Sequence, residues 1–265
     1  MNISPNRDQL IEELSGDLHR AMLGRYTIAP LSKAHPSLSI EDAYAISLRT
    51  LGRRCAEGER VVGKKIGVTS KAVQDMLGVH QPDFGFLTDS MWIKGDIRVD
   101  AVGLIQPRAE AEIAFVLKSD LKGPGVTAED VLDATASIAP CFEIVDSRID
   151  DWNISIVDTI ADNASCGVFV LGEAHVDPRD YDLPNLKVTV TKNGHPLSEG
   201  LGSAVQGSPL QAVAWLANTL GSFGETLRKG DIILSGSLVP LAKATAGDVF
   251  EMELHGIGRC IARFV

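Results

Sequence analysis

The 265-residue sequence has few cysteines and aromatic residues, and it lacks any long apolar run. Its four cysteines are widely separated and form no CxxC pair or Cys/His cluster, which argues against zinc and iron–sulfur sites. Scattered cysteines of this kind favour reduced thiols and a cytoplasmic location. No apolar run approaches the roughly 20 residues of a membrane span, and the polar, acidic N-terminal stretch lacks the apolar core of a signal peptide. We therefore expect a cytoplasmic protein with no membrane partner.

Basic residues are also fewer than acidic ones: the chain has 25 Lys and Arg residues and 35 Asp and Glu residues, which gives a net charge of −10. An acidic surface disfavours nucleic acid and anionic membranes as partners. The sequence contains no internal repeat, no low-complexity segment and no Pro/Ser-rich linker. We expect one structural unit, in which a helical N-terminal segment (1–60) packs on a mixed β catalytic domain (61–265).

Hydrophobic periodicity and capping signals predict an α+β protein. Apolar residues recur at helical spacing through 8–26, and Ser39 with Asp42 three residues later indicates a capped helix that ends near Gly58. Further along, the patterns predict strands at 60–68 and 110–117 and a strand that runs into a turn over 141–149. They also predict helices at 70–78 and from Thr127 to about 138, a loop at 80–87, a hairpin turn at Asn193–Gly194, and a helix opened by Ser208 and Pro209.

Two carboxylates open one of the most apolar predicted strands. Glu110 and Glu112 lie one residue apart in QPRAEAEIAFVL (106–117), so both leave the same face of the strand, with Arg108 beside them. Two carboxylates about 5 Å apart repel each other by about 3 kcal/mol at an effective dielectric constant of about 20. A partly buried face that tolerates this repulsion is expected to hold a cation.

A third carboxylate, Glu143, lies between two apolar residues in the strand CFEIVDSRI (141–149). Three carboxylates on adjacent strands, with no His or Cys beside them, form an all-oxygen site. Such a site suits Mg²⁺ or Mn²⁺ in near-octahedral coordination. The alternative is that the three acids face solvent or pair with Arg108 and Arg148.

The strand VGKKIGV (62–68) has a lysine flanked by glycines on one face. Gly63, Lys65 and Gly67 share that face, and the glycines leave room for a ligand to approach. Lys65 could then complement an anionic substrate or a developing enolate. The alternative for Lys65 is a surface charge, which is what we expect for Lys64 on the opposite face.

Three predicted loops bring further polar groups. Asp83 lies in HQPDFG, a Pro/Gly loop in which aspartate is also common for turn formation alone. His80, in the same loop, is weak evidence for a general base. The segments DNAS (162–165) and SGS (235–237) combine small polar side chains with accessible backbone, as carboxylate-binding loops do.

Four long segments carry a resemblance to a known family: GKKIGVTSKAVQDMLGVHQPDFGFL, QPRAEAEIAFVL, FEIVDSRI and DNASCGVFVLG. In this order they closely resemble the 2-hydroxypenta-2,4-dienoate (2-keto-4-pentenoate) hydratases of aromatic meta-cleavage pathways, which belong to the fumarylacetoacetase superfamily. The resemblance runs over essentially the whole chain. It implies a mixed, rolled β-sheet core of the fumarylacetoacetase C-terminal-domain type with a helical N-terminal segment.

The resemblance also implies a reaction and its main residues. A divalent metal, Mg²⁺ or Mn²⁺, would be held by Glu110, Glu112 and Glu143 and would polarise the 2-oxo group of a short 2-hydroxydienoate. The substrate would be protonated at C5, water would add at C4, and protonation at C3 would give 4-hydroxy-2-oxopentanoate. Asp83 is the expected proton shuttle, and Lys65 is expected to stabilise the enolate charge.

Substrate contacts and partners follow from the same resemblance. Ser165 matches the small polar residue of the family's site, and we expect Ser237 and Arg108 to contact the substrate as well. The His–Glu dyad of the superfamily's hydrolases has no counterpart that we can place. His80 stands where several of the relatives it resembles carry Asp, so it is given no role. The expected assembly is a homo-oligomer that can associate with 4-oxalocrotonate decarboxylase.

Three other functions stay open. The sister enzyme, 4-oxalocrotonate decarboxylase, shares the fold and the metal, but this chain resembles it less in the GKKIGVTS and QPRAEAEI segments. A hydrolase of acylpyruvates fits less well still. The third possibility, a non-catalytic partner subunit of the decarboxylase, is disfavoured by the intact set of three acids.

Overall fold

The computed structural model describes residues 5–98 and 103–265 of the chain. Seven α-helices are found in these residues: α1 (Pro5–Gly24), α2 (Leu31–Ala34), α3 (Ile40–Ala56), α4 (Lys71–Leu77), α5 (Ala128–Ala134), α6 (Ile156–Ala161) and α7 (Pro209–Ser222). None of them is long and apolar enough to cross a membrane.

The same residues contain eleven strands: β1 (Val61–Gly67), β2 (Asp83–Thr88), β3 (Arg108–Leu117), β4 (Thr135–Val145), β5 (Cys166–Leu171), β6 (Lys187–Lys192), β7 (His195–Leu201), β8 (Ile232–Leu234), β9 (Ala242–Lys243), β10 (Val249–Leu254) and β11 (Gly258–Arg263). Seven of them form a sheet in the order β2-β1-β8-β3-β4-β5, with β9 beside β3, and four form a second sheet in the order β11-β10-β6-β7. The larger sheet is mixed, because β1 and β8 run parallel while its other strand pairs run antiparallel.

The main core lies between the two sheets and helix α7, where apolar side chains from β3, β4, β6, β10 and α7 pack together. Phe142 of β4 meets Phe250 of β10 edge to face, with ring centroids 6.3 Å apart. The N-terminal helices form a second cluster in which Ile11, Leu18 and Ile46 are buried. A division of the chain at residues 60 and 61 stays a prediction.

Several local predictions agree with the structure. The capping box at Ser39 is present, since its side chain accepts a hydrogen bond from Asp42 N and its own N–H donates to the Asp42 carboxylate. Gly78 ends α4 in the left-handed conformation, with φ of 67°. The Asn193–Gly194 turn connects β6 to β7.

Two predictions of secondary structure were wrong. The helix capped by Thr127 ends at Ala134, and the next residues already belong to β4, because Ile138 is fully buried opposite Phe115 of β3. The segment 83–88 is strand β2 and not a loop, so Asp83 begins a buried strand. Pairing with β1 along the whole of β2 outweighs the Pro and Gly turn signals.

Lys64 and Gly63 also differ from expectation. Lys64 is buried, not solvated, and its Nζ donates a hydrogen bond of 2.7 Å to Asp231. The space at Gly63 does not serve a ligand, because a Cβ on this residue would overlap the carbonyl oxygen of Ile232 in β8. Gly63 therefore allows the close approach of two parallel strands at the centre of the sheet.

Substitution of Gly63 by alanine is expected to destabilise the fold by at least about 2 kcal/mol, because the new methyl group must displace a backbone carbonyl in a packed sheet. The free energy of unfolding in urea measures this loss. Gly52→Ala is the matched control, since Gly52 lies exposed in α3 with nothing within 4 Å of its Cβ position. That control should be neutral or more stable by up to about 1 kcal/mol, and equal behaviour of the two variants would contradict the packing argument.

Candidate active site

Strand register brings the three predicted acids together. Glu110 of β3 lies directly opposite Glu143 of β4, and Glu112 follows two residues later on the same face. Each acid offers one carboxylate oxygen, and these oxygens all lie within 4.8 Å of one another. Glu112 and Glu143 are fully buried, whereas Glu110 is partly exposed.

The carboxylates of this cluster keep unused hydrogen-bonding capacity. Gly236 N donates to Glu112 Oε2 at 2.8 Å, and Glu143 Oε1 has the Lys65 ammonium 3.2 Å away, but Glu112 Oε1 and Glu143 Oε2 have no partner. Burial first, and the neighbouring carboxylates second, raise the pKa values of Glu110 and Glu112 above the ordinary range. Buried carboxylate oxygens without partners are costly, so this all-oxygen donor set fits a hard divalent cation.

The arginines offered as alternative partners of the acids are engaged elsewhere. Arg148 forms a buried ion pair with Asp162, with Nε 2.5 Å from Oδ1. The Arg108 guanidinium lies over the ring of Trp152, 4.4 Å from its centroid. In the part of the chain that the structure describes, neither arginine pairs with the acid cluster.

Lys65 lies directly beside the acids. It lies in the middle of β1, is 3% exposed, and places Nζ 3.2 Å from Glu143 Oε1. The same Nζ donates a 2.9 Å hydrogen bond to Ala164 O. Burial acts to lower the pKa of Lys65, but Glu143 and the other nearby carboxylates outweigh it and raise that pKa above its usual value, so the side chain carries its charge.

Asp83 faces the same space from the adjacent strand. Neither of its buried carboxylate oxygens has a hydrogen-bond partner. A Cβ on Gly67 would overlap Asp83 Oδ1 and would lie 3.3 Å from Lys65 Nζ, so only glycine leaves these two groups room to converge. Burial raises the pKa of Asp83 to about 6, with Glu143 acting in the same direction and Lys65 against it. A carboxyl group with this pKa can accept and release a proton near neutral pH.

The predicted substrate-binding residues occupy three different surroundings. Ser165 is buried at the end of the DNAS turn, and its Oγ lies 3.2 Å from Thr159 Oγ1. Ser237 Oγ donates to Val239 O at 2.6 Å, which leaves its oxygen free to accept but commits its hydrogen. Arg108 is held over Trp152 at the start of β3. Their roles toward a substrate stay predictions.

Two features were missed from the sequence. Ser235 Oγ is fully buried without a hydrogen-bond partner, next to Gly236, whose N–H binds Glu112. The SGS motif signalled this loop, but it does not show which of its two serines faces inward. The Arg148–Asp162 ion pair was also missed, because its partners only meet in the folded chain.

His80 is exposed and lines an open groove of about 480 Å³ together with Thr69, Gln81, Pro82, Gln206 and Trp215.

The sequence matches a known family over most of its length. Residues 65–265 match the family model described as fumarylacetoacetate (FAA) hydrolase C-terminal. The chain therefore belongs to the fumarylacetoacetate hydrolase family. The fold predicted from the sequence, with its mixed, curled sheet, is confirmed by this match and by the solved structures below.

Curated relatives narrow this placement. The chain is 61% identical to a 2-hydroxyhexa-2,4-dienoate hydratase of Comamonas testosteroni, over 97% of this chain and 98% of the relative. It is 62% identical to a 2-hydroxypent-2,4-dienoate hydratase of Pseudomonas putida, over 81% of this chain and 97% of the relative. The resemblance to dienoate hydratases noted in the sequence is thereby confirmed.

A solved structure of a sister enzyme has nearly the same backbone. The 4-oxalocrotonate decarboxylase of Pseudomonas putida G7, complexed with magnesium and adipate, superposes with a TM-score of 0.94 at 33% identity, over the full length of both chains. The same enzyme has also been solved with calcium and acetate. Related structures thus bind divalent cations, and the carboxylate cluster of this chain can hold one.

Divalent metal is expected to stabilise chelator-treated protein against thermal unfolding. Saturation at about 100 times the dissociation constant corresponds to about 2.7 kcal/mol. Glu112→Gln should abolish this response to Mg²⁺ and Mn²⁺, because it removes an unpartnered ligand oxygen at the centre of the cluster. Glu225→Gln, which makes the same charge change at an exposed position, is the control and should keep the full response. An unchanged metal response in Glu112→Gln would reject the assignment of this cluster.

The pKa of Asp83 predicts a pH dependence of stability in metal-free protein. Its folded-state pKa of about 6 lies above the ordinary value of 3.8, so its protonated form favours the folded state. The stability that this preference provides is present in full below about pH 4 and is lost as the pH rises through 6, with a change of about 3 kcal/mol. Urea unfolding at a series of pH values should show a smaller loss over this window in Asp83→Asn than in the parent protein. Identical slopes would show that Asp83 does not titrate in this range.

Proposed function

We propose that the chain is a metal-dependent hydro-lyase that adds water to 2-hydroxypenta-2,4-dienoate and yields 4-hydroxy-2-oxopentanoate in aromatic meta-cleavage catabolism. The observation that carries this proposal is the convergence of three clustered carboxylates, two of them fully buried, with Lys65 and Asp83 in one sheet. The two dienoate hydratases at 61% and 62% identity support the same activity.

A bound divalent cation would supply Lewis-acid polarisation of the substrate's 2-oxo oxygen. Glu110, Glu112 and Glu143 would hold this cation, and their negative charge is partly offset by Lys65. Lys65 would also stabilise the negative charge that develops on the enolate oxygen during hydration, because its ammonium group is fixed by Ala164 O and Glu143.

Proton movement is assigned to Asp83. The reaction needs a proton at C5 to form the conjugated enone, then addition of water at C4 and a proton at C3. Asp83 is buried, without hydrogen-bond partners and has a pKa of about 6, so it can donate in one step and accept in another. Ser165, Ser237 and Arg108 would contact the substrate, and Ser235 joins them because its buried hydroxyl has no partner.

The remaining assignments concern surroundings and partners. Mg²⁺ or Mn²⁺ is the proposed metal, since carboxylate oxygen ligands suit both. The protein is proposed to work in the cytoplasm as a homo-oligomer. An association with 4-oxalocrotonate decarboxylase, whose product would then be this enzyme's substrate, is proposed as well.

Ultraviolet absorbance tests the function directly. Chelator-treated protein mixed with 2-hydroxypenta-2,4-dienoate should remove the absorbance of the conjugated dienoate only after Mg²⁺ or Mn²⁺ is added, with 4-hydroxy-2-oxopentanoate as the product. No loss with either metal would reject the hydratase on this substrate. Release of CO₂ from 4-oxalocrotonate would then indicate the decarboxylase, and silence with both substrates would favour the non-catalytic partner subunit.

Asp83→Asn is expected to lower kcat by at least about 100-fold, because the amide cannot transfer the proton. His80→Gln is the matched control, since His80 precedes the same strand but is exposed, and its kcat should stay within about twofold of the parent protein. Retention of full turnover by Asp83→Asn would remove Asp83 from the mechanism.

A further inference from the structure

The turn that contacts Lys65 has an unusual backbone conformation. Asn163, Ala164 and Ser165 have φ angles of 55°, 52° and 52°, so three consecutive residues other than glycine lie in the left-handed region. Residues other than glycine rarely adopt this conformation, because it is sterically unfavourable and has to be offset by surrounding contacts. A turn of this kind, placed at a candidate site, must be fixed by contacts around it.

Arg148 supplies several of those contacts by binding backbone carbonyl oxygens at both ends of the turn. Its Nη2 donates to Asp162 O at 2.7 Å, immediately before the turn, and its Nη1 donates to Cys166 O at 3.1 Å, immediately after it. Nη1 also donates to Asp146 O. The guanidinium group therefore brackets both ends of the three-residue turn.

The positive charge of Arg148 is balanced by the adjacent carboxylate of Asp162. Asp162 is buried, and its carboxylate accepts hydrogen bonds from Arg148 Nε at 2.5 Å and Arg148 N at 2.8 Å. Burial raises the pKa of Asp162 to about 6, and Arg148 opposes that change. With its charge matched locally, Arg148 acts on the turn through the fixed directions of its N–H groups.

The Asn163 side chain connects the turn to strand β2 on the side opposite Arg148. The Asn163 side chain accepts from Phe86 N at 2.8 Å and donates to Phe86 O at 2.9 Å, as a neighbouring strand would. A Cβ on Gly85 would overlap the Asn163 carbonyl oxygen, so β2 and the turn are in direct contact. The turn is thus fixed to β2 on one side and to Arg148 on the other.

We infer that Arg148 is a positioning residue: it fixes the left-handed turn Asn163–Ser165 so that Ala164 O holds the Lys65 ammonium against Glu143. This inference rests on the proposed function for its effect on turnover, and on the carboxylate cluster alone for its effect on metal binding. Lysine cannot replace Arg148 in this role, because a single ammonium group cannot reach carbonyl oxygens at both ends of the turn in fixed directions.

Steady-state kinetics of Arg148→Lys test the inference. The variant keeps a positive charge beside Asp162, and its kcat should fall at least about 10-fold, while KM changes by less than about threefold. Displacement of the Lys65 ammonium by a fraction of an ångström weakens transition-state stabilisation more than substrate binding. Asn163→Gly, which permits the same backbone conformation but lacks the hydrogen bonds to Phe86, should show the same pattern.

Lys64→Met is the matched control. It breaks a different buried ion pair, Lys64–Asp231, one residue away from Lys65 and on the opposite face of β1. Its thermal midpoint should fall at least as far as that of Arg148→Lys, but its kcat should stay within about twofold of the parent protein. Equal losses of kcat in the two variants at matched loss of stability would overturn the inference.

A double-mutant cycle on Mn²⁺ binding, followed by electron paramagnetic resonance, needs no turnover. Lys65→Met should tighten Mn²⁺ binding, because a positive charge beside Glu143 is removed. Arg148→Lys should change the dissociation constant of the parent protein at least about threefold, and that of Lys65→Met by less than about 1.5-fold. Equal effects in both backgrounds would show that Arg148 does not act through Lys65, whether or not the hydratase activity is found.

Discussion

Mutual repulsion between Glu110, Glu112 and Glu143 is the constraint on which the rest of the structure depends. Carboxylates at this spacing inside a sheet destabilise the fold unless they take up protons or positive charge is brought to them, and their raised pKa values reflect this. The chain supplies Lys65 and the N–H of Gly236, and these leave several carboxylate oxygens without a partner. The remaining deficit suits a divalent cation, and a cation bound here would relieve the same repulsion that destabilises the metal-free fold.

The N-terminal helices contribute to this site without entering it. Ser32 of α2 donates through its N–H and Oγ to the carboxylate of Asp158, which is fully buried in α6. Helix α6 leads directly into Asp162 and the left-handed turn that contacts Lys65. The helical segment therefore supports one wall of the site, although the family match begins only at residue 65.

Sequence reasoning found the acids because their signals are local. The spacing of Glu110 and Glu112 follows from the two-residue period of a strand, and Glu143 is conspicuous among apolar neighbours. Lys64 was misjudged because its partner, Asp231, is distant in sequence and meets it only when β1 and β8 pair. Asp83 was assigned to a loop because Pro and Gly signals report local conformation, whereas its strand is fixed by pairing with β1. The position of Arg148 behind the turn is a tertiary property that no local pattern reports.

The backbone is nearly the same as that of the decarboxylase, so the difference between the two reactions must come from side chains and not from the fold. A fold and a carboxylate cluster can serve several reactions on related 2-oxo acids, since polarisation of the 2-oxo group is useful to all of them. Hydration additionally needs a group that can both give and take a proton near the far carbons of the dienoate. We propose Asp83 for this role, since burial raises its pKa to about 6 while Lys65 prevents the pKa from rising further. Lys65 interacts with both Glu143 and Asp83, so the charge balance of the acid cluster also affects the protonation of Asp83.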